Sequence, residues 1–99
     1  EVFAPVVTLV PYDGFEDAVE EVNRSLYGLQ AGVFTNDIKR LFYAYERLQV
    51  GAVVHNDIPT FRVDNMPYGG VKMSGFGREG VRYAIEEMTE VKLLALKLD

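Results

Sequence analysis

His55 is the only imidazole in this chain of 99 residues, and cysteine is absent. Thiolate nucleophiles, thiolate metal sites and disulfides are therefore excluded, and a His-rich zinc centre cannot be built. A Ser-His-Asp triad would have to use His55, which ends a β-branched run, where a histidine is more often a satisfied strand end than a base. Gly75-Phe76-Gly77-Arg78-Glu79-Gly80 matches the glycine spacing of a dinucleotide-phosphate loop. It follows a loop rather than a strand, however, and lacks the acid about 20 residues on that such a βαβ unit needs. We read it as turn chemistry, with glycines where φ is positive or backbones pass closely, and Lys72 and Ser74 as structural in the same way.

The elements that position these groups follow from periodicity. Val2 to Val10 is valine-rich and broken by Pro5, which predicts a strand starting near Val6. Phe15, Ala18, Val19, Val22 and Leu26 recur at helical spacing, with acids at 16, 17, 20 and 21 opposite them, Asp13 as cap and Gly28 as stop. Ala31 to Thr35 predicts a short strand, and Asn36-Asp37 opens a helix with the stripe Ile38, Leu41, Phe42, Tyr45 and Leu48. Val50 to Asn56 is a further strand. The stretch from Asp57 to Arg78 holds Pro59, Pro67 and four glycines without a sustained period, a length that marks a functional or a disordered segment. Val81, Ala84, Ile85 and Met88 predict a last helix, and Val91 to Leu98 a last strand. The order β-α-β-α-β-loop-α-β predicts an α/β fold, a largely parallel sheet with flanking helices. The last strand is apolar on both faces and calls for a cover that a second chain could supply.

Composition excludes other classes. Fifteen acids against ten bases leave a net charge of −5, which argues against a nucleic-acid or anionic-membrane partner. No apolar run approaches the roughly 18 residues of a spanning helix. The lack of disulfides fits a cytoplasmic setting. The chain begins at Glu1 and runs straight into an apolar stretch, so it reads as part of something longer.

Several segments together resemble the C-terminal part of an NAD(P)-dependent aldehyde dehydrogenase. They are Glu1-Val2-Phe3-Ala4-Pro5-Val6, Tyr27-Gly28-Leu29 with Ala31-Gly32-Val33-Phe34-Thr35, and Gly51-Ala52-Val53-Val54-His55-Asn56. Met66-Pro67-Tyr68-Gly69-Gly70-Val71-Lys72-Met73-Ser74-Gly75, Gly77-Arg78-Glu79 and Thr89-Glu90-Val91-Lys92 complete the set. The resemblance spans nearly the whole chain. The stretch Arg62-Val63-Asp64-Asn65-Met66-Pro67-Tyr68-Gly69-Gly70 is most similar to the branch holding lactaldehyde, succinate-semialdehyde, phosphonate-aldehyde and non-phosphorylating glyceraldehyde-3-phosphate dehydrogenases.

The resemblance implies roles. Glu1 would accept hydrogen bonds from the nicotinamide ribose hydroxyls and Phe3 would pack beside the nicotinamide, with NAD or NADP as cofactor. A carboxylate can accept from both hydroxyls of a vicinal diol, and a spacing of two puts both side chains on one strand face. The loop after Asn56 would line the aldehyde tunnel, making Ile58, Thr60, Phe61 and Arg62 candidate substrate contacts, with Tyr68 behind them. A guanidinium in an otherwise apolar tunnel favours an aldehyde carrying a carboxylate or phosphate. Residues 1–88 would be the C-terminal portion of the catalytic domain, and 89–99 a strand that pairs across a homo-oligomer boundary.

In such enzymes a cysteine thiolate attacks the aldehyde, hydride passes to the nicotinamide and the thioester is hydrolysed to a carboxylate. The nucleophile, the general base and the oxyanion-hole asparagine would all precede Glu1. The resemblance therefore implies an inactive portion of an active oxidoreductase, with no catalytic residue and no metal of its own. The rival reading is a non-catalytic binding or oligomerisation module reusing the same fold segment. An acidic adaptor has only the net charge behind it.

Overall fold

Helix α1 (Phe15–Asn23) begins where Gly14 leaves the extended region, one residue beyond the expected cap at Asp13, with Glu16 and Asp17 in its first turn. Acids there complement the partial positive charge of the helix N-terminus. The computed structural model describes residues 2–99. Beyond α1 come β1 (Tyr27–Gly28), β2 (Gln30–Val33), α2 (Ile38–Arg47), β3 (Ala52–His55), β4 (Val71–Lys72) and α3 (Val81–Met88). The start of α2 is set by the Asp37 carboxylate, which accepts from the Lys39 backbone N–H at 2.8 Å. Asp37 thus caps α2 as the sequence predicts.

β2 and β3 pair in parallel, Gln30 opposite Ala52 and Val33 opposite His55, with α2 as the crossover. The expected strand order holds at this pair. A second, antiparallel pair joins β1 to β4, Tyr27 opposite Lys72 and Gly28 opposite Val71. The fold is thus a small α/β unit with two short sheets, one parallel and one antiparallel, where one largely parallel sheet was expected.

Val19, Val33 and Ala44 are buried where α1 and α2 meet β2, and Phe15, Leu41, Tyr43, Leu48 and Val53 pack around them. The Phe15 and Tyr43 rings lie 6.1 Å apart and tilted, a favourable aromatic geometry. Asn23 ties the two helices at their ends. Its amide donates to the Arg47 carbonyl and accepts from the Gln49 N–H, both at 2.8 Å.

The two expected terminal strands take no ladder partner within the chain among the described residues. Around Pro5 the backbone turns, the Val6 N–H reaching the Ala4 carbonyl at 2.7 Å, and Val7, Leu9, Leu93, Leu94 and Leu98 all stay exposed. A strand requires a neighbour for its backbone groups, whatever its composition. The chain is consequently elongated, with extents of 72 × 34 × 23 Å and a radius of gyration of 18.5 Å. A compact domain of this length has a radius of about 13 Å.

Candidate functional site

The long loop leaves β3 through His55 and Asn56. His55 Nε2 donates to the Thr35 carbonyl at 2.8 Å, so the imidazole is a hydrogen-bonded strand end, as its sequence context implied. Asn56 adopts φ 52°, a left-handed conformation that asparagine tolerates. Its side-chain oxygen accepts from the Thr35 N–H at 2.8 Å, and its own N–H donates to the Val33 carbonyl at 2.9 Å. These contacts fix the exit of the loop against the end of β2.

Two adjacent residues then fasten the loop. The Gln30 amide donates to the Phe61 carbonyl at 3.1 Å, leaving the Phe61 ring half-exposed. Arg62 donates to the Glu79 carboxylate at 3.1 Å, and its guanidinium lies 5.4 Å from the centre of the Tyr68 ring. Tyr68 and Glu79 are themselves paired through the backbone, each N–H donating to the other's carbonyl, at 3.2 and 2.6 Å. The fold thus brings Arg62 and Tyr68 together, whereas Ile58 and Thr60 remain exposed beside a local turn from the Thr60 N–H to the Ile58 carbonyl.

The glycine-rich segment behind Tyr68 is shaped by its own contacts. Gly75, Gly77 and Gly80 take φ of 113°, 77° and 106°, which confirms their reading as turn glycines. The Arg78 guanidinium donates to the carbonyls of Gly70 and Gly77, both at 2.8 Å, and the Arg78 N–H donates to the Glu87 carboxylate at 3.0 Å. Ser74 accepts from the Gly28 N–H at 2.9 Å, a structural role like that expected of it. Together with Leu29, the residues Tyr68, Gly69, Arg78, Glu79 and Glu87 border a hollow of about 280 Å³. On α3, the hydrogen bond from Arg82 to Glu86 at 2.9 Å, and then the charge of that carboxylate, raise the Arg82 pKa.

Glu79, Arg78 and Gln30 were not singled out by residue type. Glu79 was visible only as part of the Gly75 to Gly80 glycine spacing and of the Gly77-Arg78-Glu79 match, and Gln30 carried no signal. Glu1 lies outside the described residues. Phe3 has φ 50° and is 94% exposed, so strand alternation does not apply at it and nothing packs around its ring. No helix among the described residues is long and apolar enough to cross a membrane.

Helices packed on a parallel strand pair, with a loop pinned at the strand exit, define a small α/β unit. The sequence profile of the aldehyde dehydrogenase family matches residues 1–94, and the chain belongs to that family. The 3-sulfolactaldehyde dehydrogenase of Priestia aryabhattai is 51% identical over 98 residues, 99% of this chain and 20% of that protein. The lactaldehyde dehydrogenase of Methanococcus aeolicus is 49% identical over 94 residues, 95% of this chain and 20% of that protein. This chain thus spans about a fifth of the length of these relatives.

Solved structures agree. Aldehyde dehydrogenase 21 from Physcomitrella patens, in complex with its product succinate, has a TM-score of 0.82 at 51% identity, over 87% of this chain and 18% of that one. A glyceraldehyde-3-phosphate dehydrogenase from Methanocaldococcus jannaschii, complexed with NADP, has a TM-score of 0.75 at 52% identity, over 78% and 17%. An aldehyde dehydrogenase from Bacillus cereus in complex with NAD+ reaches 0.87 at 43% identity, over 93% and 18%. Members of the family thus use NAD or NADP.

Proposed function

We propose that this chain is the C-terminal portion of an NAD(P)-dependent aldehyde dehydrogenase that oxidises an anionic aldehyde to its carboxylate. Residues 1–88 complete the catalytic domain and 89–99 supply an oligomerisation strand. Glu1 and Phe3 serve the nicotinamide end of the cofactor, which accepts the hydride when bound. Ile58, Thr60, Phe61, Arg62 and Tyr68 face the aldehyde. The chain has no cysteine and does not catalyse the reaction by itself.

The observation that carries the substrate class is the guanidinium of Arg62, held on the loop at the strand exit beside the Tyr68 ring. Names of similar proteins agree with it. Sulfolactaldehyde, succinate and glyceraldehyde 3-phosphate each carry an anionic group remote from the reacting carbon. The Arg62–Glu79 pair favours a second reading, a neutral hydroxyaldehyde such as lactaldehyde, because a paired guanidinium presents less free charge.

Arg62→Ala in the full-length enzyme separates the two. A charge-assisted contact is worth about 1.5–3 kcal/mol, so KM for an anionic aldehyde should rise tenfold or more. KM for a neutral aldehyde of similar size should hold. Equal changes for both would remove the anionic reading.

A further inference from the structure

β2 presents two faces to its surroundings. Val33 enters the core with α1 and α2, so Gln30 and Gly32 fall on the opposite side of the strand. The loop that leaves β3 folds back along that side. Asn56 is held at Thr35, a Cβ at Gly32 would stand 2.5 Å from the Asp57 carbonyl oxygen, and Phe61 is held at Gln30. Each later loop residue thus meets an earlier position of the strand. We infer that Gln30 is a positioning residue for aldehyde binding, its side-chain amide fixing the Phe61 main chain so that the Phe61 ring meets the substrate. The inference rests on the reading of this loop as a wall of the aldehyde tunnel, and adds the residue that sets the wall in place.

The chemistry of the contact fixes the direction of the amide. The Phe61 carbonyl can only accept, so Gln30 Nε2 faces it, at 3.1 Å and from 31 positions away in sequence. Gln30 Oε1 is buried with no donor among the described residues. A buried acceptor without a partner is costly, and native structures hold few of them. An apolar side chain of the same length avoids that cost. Glutamine at this place is therefore accounted for by its Nε2 side, whose partner among the described residues is the Phe61 carbonyl. Burial of this kind is a lower limit, since further polypeptide covers Oε1 more and never less.

Gly32 supplies the floor beside the anchor. A side chain there would meet the Asp57 carbonyl, a backbone atom that cannot swing aside, and would touch Pro59 Cδ at 3.4 Å. A bare strand surface lets the loop lie this close. The left-handed backbone of Asn56, at φ 52°, turns the chain onto that surface. Steric fit at Gly32 sets how near the loop lies to β2, and the Gln30 amide sets how far along the strand it runs.

One hydrogen bond is worth a factor of roughly two to ten in affinity. The test is made in the full-length enzyme, by thermal unfolding and by steady-state kinetics with the better substrate of lactaldehyde and 3-sulfolactaldehyde. Gln30→Met keeps the length and bulk, removes the donor and removes the unpartnered acceptor with it. It should raise the aldehyde KM about two- to tenfold, leaving kcat, the cofactor KM and the melting temperature nearly unchanged. Gln30→Asn keeps the amide and shortens its reach by one methylene. It should match the methionine variant in KM, and it carries the test should that variant fail to fold. In a Phe61→Ala background Gln30→Met should add nothing, because the ring to be placed is gone.

A melting temperature that falls while KM holds would mark a structural role and overturn the inference. So would a KM rise that persists at full size in the Phe61→Ala background, since the amide would then act elsewhere. If Phe61→Ala raises KM while Gln30→Met is silent, the positioning role fails alone. If Phe61→Ala itself leaves KM unchanged, the loop does not wall the tunnel, and the reading beneath the inference fails with it.

Discussion

Lys72 closes helix α1 at Asn23. Its Nζ donates to the Asn23 carbonyl at 2.7 Å, from 49 positions along the chain, and to the Ser25 carbonyl at 3.0 Å. A cation at this end of a helix satisfies carbonyls that have no intrahelical partner and complements the partial negative charge there. The same residue holds φ 55°, which costs a non-glycine residue about 1–2 kcal/mol. The cap and the left-handed backbone thus oppose one another at one position.

Substitutions at Lys72 should separate those two contributions. Lys72→Ala loses the cap and keeps the strained backbone, so it should destabilise the fold by about 1–2 kcal/mol. Lys72→Gly also loses the cap but relieves the strain, and should cost measurably less. Thermal unfolding followed by circular dichroism ranks the two variants. Glycine as the worse one would mean that the side-chain contact contributes little.

Gly51 is a steric requirement of the junction between the two sheets. A Cβ there would overlap the Gly69 carbonyl oxygen and lie 2.9 Å from the Leu29 carbonyl oxygen. Both obstacles are backbone, so neither can swing aside. Gly51→Ala should cost more than the 1–3 kcal/mol or so of ordinary overpacking. Gly75→Ala meets open space and bears only the cost of φ 113°, about 1–3 kcal/mol. Denaturant titration of the two variants checks the order.

Much of this architecture is readable from local pattern, and the exceptions share a cause. α2 follows from its apolar stripe and the Asp37 cap, β3 from a β-branched run after it, and β2 from the short strand expected at Ala31 to Thr35. α1 ends at Asn23, short of Gly28, where a lysine remote in sequence takes the Asn23 carbonyl, a contact that no local spacing encodes. β1 and β4 are two residues each, too short for any periodicity to show. At the site, Arg62 is suggested by its chemistry in a loop, whereas the reach of Glu79 depends on its pairing with Tyr68 and exists only once the chain folds.

The segment from Val91 to Leu98 reads as a strand yet takes no ladder partner among the described residues. A partner strand would satisfy roughly six backbone hydrogen bonds at about 0.5–1.5 kcal/mol net each, and would cover exposed leucines besides. The protein should therefore self-associate through this segment and become more monomeric when truncated after Thr89. Sedimentation velocity on both lengths decides it. A full-length chain that stays monomeric at high micromolar concentration, with these amides protected from exchange, would show the segment folding back on its own sheet.

The elongated outline also sets how sharply this chain unfolds. Its accessible surface is 8645 Å², against about 5,700 Å² for a compact protein of the same mass. Taking about 16,000 Å² for the extended chain, folding hides only about seven-tenths of the surface that a compact fold would. Denaturant sensitivity and the heat-capacity increment both scale with that hidden surface. The unfolding curve should accordingly be broad and the stability curve flat with temperature, and a second polypeptide surface covering the two apolar ends should steepen both.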